Sequence, residues 1–161
     1  MAYRIQVTGM DELLRKLEKL PETADKVAAE ALYEGAGVVA DSVSRAVQGI
    51  AVEPFKYAAG GRTRYPSPEE RAIVEGAPKG VAKFRRNGME INTSVGIQNA
   101  GYAVLGNKTK PIPQIANAIN SGTSFMKKQP FLRKAFSQSK GKATAAIEAG
   151  IQKRLEQFDI S

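Results

Sequence analysis

The side chains of this chain that could do acid-base chemistry are carboxylates and lysines, because the sequence contains no histidine and no cysteine. A general acid or base needs a pKa near the working pH, and histidine is the side chain that has one without help from its surroundings. The same two absences exclude thiolate nucleophiles and the common zinc sites. We therefore expect no catalytic residue and a protein that is not an enzyme.

Adjacent carboxylates are the remaining candidates for a metal site, and they occur at Asp11-Glu12 and at Glu69-Glu70. Each pair stands where a helix is predicted to begin, and acidic side chains there stabilise the positive end of the helix dipole. A magnesium-dependent enzyme would instead need carboxylates that converge on one site. We therefore expect both pairs to be structural and predict no metal.

A glycine pattern at residues 35–40, Gly-Ala-Gly-Val-Val-Ala, matches the dinucleotide-binding fingerprint. That fingerprint needs a strand before the glycines, so that the pyrophosphate meets the N-terminus of the following helix. Here the preceding residues already have helical periodicity, and no Gly-Lys-Ser/Thr phosphate loop occurs in the sequence. We predict no cofactor.

The placement of charge points to a partner. The net charge is +8, yet no acidic residue occurs between Glu90 and Glu148. A concentration of one sign favours a polyanion such as duplex DNA, or an acidic protein surface; the alternative is a solvated basic face without a dedicated partner. The basic residues of this interval are Lys108, Lys110, Lys127, Lys128, Arg133, Lys134, Lys140 and Lys142.

Hydrophobic periodicity predicts the elements of the N-terminal part. Residues 4–8 alternate as in a short strand that ends at Gly9, and Asp11 is expected to be the N-cap of a short helix. Residues 22–48 have apolar side chains at three- and four-residue steps, which predicts a long amphipathic helix. Gly35 lies on its apolar stripe, where it would allow another backbone to approach closely.

Residues 49–79 lose this periodicity and contain four of the eight prolines. A connection of this length is typical of an exposed functional arm or a disordered loop, with a short helix predicted near residues 68–75. Its aromatic and basic side chains would suit stacking on bases or packing into a neighbouring subunit, and an ordinary mobile loop is the alternative. The candidate arm residues are Phe55, Tyr57, Arg62, Arg64 and Tyr65.

Asn87-Gly88 predicts a tight hairpin, because this pair tolerates the positive φ angles of a type I′ turn. Its arms would be residues 81–86 and 89–97, and residues 102–105 would add a third strand. Residues 108–113 are expected to be irregular because proline withholds a ladder donor. Residues 114–120 fit either a helical turn or a strand.

The C-terminal part is predicted to form a long helix that begins with Pro130 at its first position, with Gly141 and Gly150 as weak points. The expected fold is a single α+β domain over residues 1–161. A small antiparallel sheet with a hairpin would pack against long N-terminal and C-terminal helices, and residues 49–79 would form a long exposed loop.

The segment at residues 120–136 combines a glycine turn, apolar side chains and flanking cations, which suits docking onto another chain. The alternative is that Phe131 and Phe136 attach the last helix to the core. The candidate partner or subunit interface comprises Gly122, Thr123, Phe125, Met126, Lys127, Lys128, Pro130, Phe131, Arg133 and Lys134.

The order of these motifs resembles the tail-component, or head-tail joining, proteins of long-tailed bacteriophages (siphophages). The resemblance is carried by Gly122-Thr123 followed by the Pro-Phe-Leu-Arg-Lys-Ala-Phe run at residues 130–136, by the strand ending in Gly9 with the helix start at residues 10–14, and by Glu34-Gly35-Ala36. It covers both ends of the chain.

The resemblance implies a structural protein of the phage neck that forms a ring, expected to be a hexamer, and joins the head to the tail or terminates the tail tube. Its partners would be a head-completion or connector protein and the tail-tube protein, with nonspecific contact to DNA in the lumen and no membrane. The expected location is the virion, with assembly in the host cytoplasm. The alternative function is a small basic DNA-binding protein without sequence specificity.

Overall fold

The chain has an α+β fold, shown by a computed structural model that describes residues 2–7, 10–19, 23–53, 63–81, 84–87, 90–97 and 100–158. The two long helices lie at residues 24–48 and 131–157, towards the two ends of the chain, and two of the shorter helices and most of the strands lie between them. The elements in chain order are β1 (Ala2–Val7), α1 (Asp11–Glu18), α2 (Ala24–Gln48), α3 (Pro68–Gly76), β2 (Gly80–Val81), β3 (Arg85–Asn87), β4 (Glu90–Gly96), β5 (Tyr102–Leu105), β6 (Lys108–Pro111), α4 (Ile112–Ser121) and α5 (Phe131–Gln157).

The larger sheet is organised around β4, which pairs antiparallel with β1 along one edge and with β2 and β3 along the other. Ile91, Thr93 and Val95 of β4 are buried, whereas the residues between them are half-buried. The buried face packs against α2. Burial therefore alternates from Glu90 to Val95, with one face of the strand in the core.

The predicted hairpin is present, but its turn is displaced by one residue: Asn87 is the last residue of β3 and pairs with Glu90 of β4, so the two residues between the strands are not Asn87 and Gly88. Those two residues, Gly88 and Met89, lie outside the described residues, as do Gly9 and, from the predicted arm, Phe55, Tyr57 and Arg62.

The core is dominated by the packing of α2 against α5, which run antiparallel. Ser42 near the end of α2 contacts Ala135 near the start of α5, and Gly150 towards the end of α5 lies against Ala31. Gly35 lies between these points and faces Ile147 and the carbonyl of Ala143. The close backbone approach predicted for Gly35 is confirmed.

The interpretation of Gly150 as a weak point of the last helix is corrected by its surroundings. A β-carbon at this position would stand 3.2 Å from the Ala31 side chain and 2.7 Å from a Glu34 oxygen. Gly150 therefore permits a second close helix contact. Gly141, by contrast, faces open space.

The expectation of an irregular segment at residues 108–113 is wrong. Lys108–Pro111 forms β6, which pairs with β5, and α4 begins at Ile112. Pro111 is compatible with the ladder because it is the last residue of its strand, and Ile112 N donates the next bond to the Gly101 carbonyl at 2.9 Å. The ambiguous residues 114–120 are helical.

Two helix starts are displaced by one residue from the predicted positions. Met10, not Asp11, is the N-cap of α1, and Asp11 is its first helical residue. Pro130 is the N-cap of α5 and not its first residue. Among the described residues, no helix is long and apolar enough to cross a bilayer.

Candidate functional site

The predicted interface segment begins as a turn whose shape depends on two residues. Gly122 has φ +75°, a conformation that side chains disfavour, and a β-carbon there would lie 3.0 Å from Lys128 Cβ. The Thr123 hydroxyl then accepts hydrogen bonds from the backbone N–H groups of Phe125 (3.2 Å) and Met126 (3.0 Å). The Thr123 N–H donates to the Met126 carbonyl at 3.0 Å.

In the structure this turn is hydrogen-bonded to Arg64 of the predicted arm. Arg64 N donates to the Phe125 carbonyl and Lys127 N donates to the Arg64 carbonyl, both at 2.8 Å, which makes a parallel bridge between Arg64 and Met126. Two groups predicted separately thus form one surface. We call residues 63–65 together with residues 122–128 the turn surface.

The side chain of Arg64 connects this surface to Glu70 in the interior of the protein. Its guanidinium donates two hydrogen bonds to the carboxylate of Glu70, at 2.7 and 2.8 Å, and Glu70 is 7% exposed. Burial raises the pKa of Glu70, but the bonds from Arg64 and from the Ser67 N–H outweigh it and hold the pKa below its ordinary value of 4.5. Arg64 is therefore held by an internal ion pair.

Glu70 also caps α3, since Ser67 and Glu70 exchange side chain-to-backbone hydrogen bonds in a capping box. The Ser67-Pro68-Glu69-Glu70 run contains this signal in the sequence, because serine three residues before glutamate is typical of a helix start. The pairing with Arg64 has no such local signal.

Two amide side chains, which the sequence did not single out as site residues, attach the turn surface to the rest of the fold. Gln129 makes both possible bonds to the backbone of Ala51, accepting from its N–H at 2.8 Å and donating to its carbonyl at 2.7 Å. The buried Asn120 accepts from Leu132 N at 3.1 Å, at the start of α5. None of these three hydrogen bonds could be predicted from local sequence. The partner of Gln129 lies far away along the chain, and the partner of Asn120 lies on the other side of the turn.

The exposed side chains of the turn surface include one phenylalanine and two lysines, beside the hydroxyl side chains of Thr123 and Ser124. Phe125 is 76% exposed, although it lies in a turn whose backbone is hydrogen-bonded on both sides. The Lys127 ammonium stands 4.3 Å from the centroid of the Tyr65 ring, within the range of a cation-π contact. Lys128 is exposed beside them.

Other members of the predicted interface either have buried side chains or lie outside the turn surface. Phe131 and Met126 are 3% and 6% exposed and belong to the core, and Phe136 is half-buried against it. The core interpretation is therefore confirmed for Phe131. Pro130, Arg133 and Lys134 are exposed, but Lys134 lines a groove between α2 and α5.

Within the part of the chain that the structure describes, no group of three or more acidic side chains could hold a metal ion. Comparison with protein-family models, with curated proteins and with solved structures finds no match to this chain. The candidate site is therefore defined by the geometry of this chain alone.

Proposed function

We propose that the protein is a non-catalytic structural component of the phage neck. In this proposal the subunits form a ring, expected to be a hexamer, that joins the head to the tail or terminates the tail tube. The ring contacts a head-completion or connector protein on one side and the tail-tube protein on the other. It belongs to the virion and assembles in the host cytoplasm.

The observation that carries this proposal is the rigid presentation of Phe125. Phe125 remains 76% exposed on a hydrogen-bonded turn, so its burial against a partner would remove a large apolar area from water and favour binding. Binding would order little further backbone, because hydrogen bonds with Thr123 and Arg64 already fix the backbone of Phe125 on both sides in the absence of a partner. Aromatic anchors surrounded by polar side chains are typical of binding hot spots.

A closed ring needs a second surface, because heterologous contacts join two different flanks of each subunit. The outer face of β5 offers one, since Tyr102 and Val104 are 73% and 64% exposed on a two-stranded sheet. Ala103 and Leu105, which alternate with them, pack against the core. The chain thus presents two apolar patches on separate elements, as self-association around an axis requires.

The test is electron microscopy of a phage lysate in which this gene is interrupted, compared with the same lysate complemented in trans. Full heads beside free or overlong tails, restored to joined particles by complementation, would support a joining or terminating role. Normal joined particles without the gene would overturn it.

A second candidate function, nonspecific DNA binding, is favoured by the exposure of all eight cations of the acid-free interval. None of these eight cations forms an ion pair with a carboxylate among the described residues. This function predicts duplex binding that weakens steeply with salt and a normal yield of joined particles when the gene is interrupted.

A further inference from the structure

A second polar surface, separate from the turn surface, lies in the groove between α2 and α5. The groove has a volume of about 380 Å³, and its rim is formed by Arg45 of α2 and by Lys134, Gln138 and Lys142 of α5. No acidic side chain lines it. We call it the helix groove.

The three cations of the helix groove have no ion-pair partner among the described residues. The hydroxyl groups at the groove are already used, since Ser42 and Ser139 both donate to the Ala135 carbonyl, at 3.0 and 2.7 Å. The groove therefore presents three ammonium or guanidinium groups whose charge nothing within it neutralises.

The spacing along α5 suits a repeated anion. Lys134, Gln138 and Lys142 follow one another at four-residue steps, which places them on one helix face at intervals of about 6 Å. Arg45 faces them from the last turn of α2. The three donor side chains on α5 and the guanidinium of Arg45 are too widely spaced to bind one small ion together. They are spaced to bind successive charged groups of a polyanion.

The start of α5 gives an independent reason to expect an anion. The first turn of this helix contains no acidic residue, and Arg133 and Lys134 stand at its positive end. Cations at a helix N-terminus oppose the dipole, whereas acidic side chains are the residues that stabilise it. A bound anion would reduce both the repulsion between these cations and their conflict with the dipole.

The side chains of the helix groove indicate which kind of polyanion it would bind. No aromatic residue lines it, and its apolar members are Val38 and Ala46. Protein interfaces have aromatic and other large apolar anchors at their centre, and single-stranded nucleic acid is held by aromatic stacking. Nucleic-acid backbones, by contrast, are bound by polar and strongly basic surfaces.

We propose that the helix groove binds the phosphate backbone of duplex DNA without reading its sequence. This inference rests on the nonspecific DNA binding proposed above as the second candidate function, and it assigns that binding to one surface of the chain. The turn surface, with Phe125, remains the surface for protein partners. The two surfaces are therefore separable by mutation.

The test measures binding of the purified protein to a fluorescein-labelled duplex of about 20 base pairs by anisotropy at several salt concentrations. The groove variant combines Arg45→Gln, Lys134→Gln and Lys142→Gln. The matched control combines Lys19→Gln, Arg85→Gln and Lys153→Gln, which removes the same charge from exposed positions outside both the groove and the acid-free interval. Circular dichroism confirms folding, and Lys142→Gln alone replaces the triple variant if that variant unfolds.

Three phosphate contacts correspond to a slope of about 2.7 log units of affinity per log unit of salt, or about 40-fold between about 50 and 200 mM. We expect the groove variant to lose this slope and the control to keep it. Equal losses in both variants, or no binding by the parent protein at low salt, would overturn the proposal. Tighter groove-dependent binding of polyglutamate than of the duplex would also overturn it and indicate an acidic protein partner.

Joining of heads to tails by the groove variant is scored separately. If the protein is a neck protein, the groove variant still forms joined particles although it has lost its contact with DNA. If the neck assignment is wrong, the result of the DNA-binding measurement does not change.

Discussion

Gly35 of α2 lies so close to Ile147 of α5 that a β-carbon at position 35 would overlap the Ile147 side chain. Ile147 is fully buried, and the Ala143 carbonyl stands 3.0 Å from the same point, so the neighbours have little room to move. The distance between the two longest helices is therefore set by the absence of one methyl group.

Gly35→Ala should destabilise the protein. Overpacking costs about 1–3 kcal/mol, and alanine recovers about 1 kcal/mol of helix propensity, so we expect a net loss of up to about 2 kcal/mol. The measurement is urea unfolding. Gly37→Ala is the control, because Gly37 lies in the same helix and faces open space, and it should gain about 0.5–1 kcal/mol. Equal stability of the two variants would contradict the packing role.

Phe125→Ser should abolish the joining of heads to tails while leaving stability within about 0.5 kcal/mol of the parent, since the side chain contributes little to the core. Complementation of the interrupted gene, followed by electron microscopy, measures the first effect and thermal unfolding the second. Phe158→Ser removes another exposed phenylalanine and is the control. Full joining by the Phe125 variant would exclude this residue as the anchor.

The Arg64-Glu70 pair should make stability depend on pH. The folded-state pKa of Glu70 lies below 4.5, so its contribution is complete above the pKa of the unfolded chain and is lost as the pH falls through the folded value. Glu70→Gln should lower stability at neutral pH by about 2 kcal/mol and reduce the loss below pH 4.5. Glu69→Gln is the control, because Glu69 is exposed and forms no ion pair with any residue that the structure describes. A parallel pH profile for Glu70→Gln and the parent would refute the assignment.

Gln129→Ala should free the backbone of Ala51, because both hydrogen bonds to that residue come from the Gln129 amide. We expect a loss of about 1–2 kcal/mol and faster amide exchange at Ala51. Hydrogen exchange measured residue by residue checks this. Gln114→Ala, at an exposed position of α4, should change neither quantity. Unchanged exchange at Ala51 in the Gln129 variant would count against the attachment.

The elements that sequence predicts best are those that depend on neighbouring residues. The apolar stripe around Gly35 and the hairpin at Asn87-Gly88 are both local patterns; the first is found as predicted, and the second is found with its turn displaced by one residue. The helix starts were displaced by one residue because a cap depends on backbone angles that composition does not determine. Pro111 was misread because its effect depends on whether it ends a strand or interrupts one.

The candidate site was predictable in its parts but not in its assembly. Phe125 and the cations of the turn were identified from their composition, whereas the bridge from Arg64 to Met126 joins residues far apart in sequence. Periodicity carries no information about such pairing. Gln129 was missed for the same reason, since its partner Ala51 lies 78 positions away.

The backbone of Glu53 donates to the Pro66 carbonyl at 3.0 Å, and its carboxylate accepts from Tyr65 N at 2.8 Å. Glu53 and Tyr65, on either side of positions 54–62, thus lie in direct contact, and loop-closure entropy changes slowly with length. Lengthening the connection between them, by genetic insertion of an epitope or a fluorescent domain between Ala58 and Ala59, should therefore cost little stability. Such a label would leave the two long helices in place and mark the orientation of each subunit in an assembled particle.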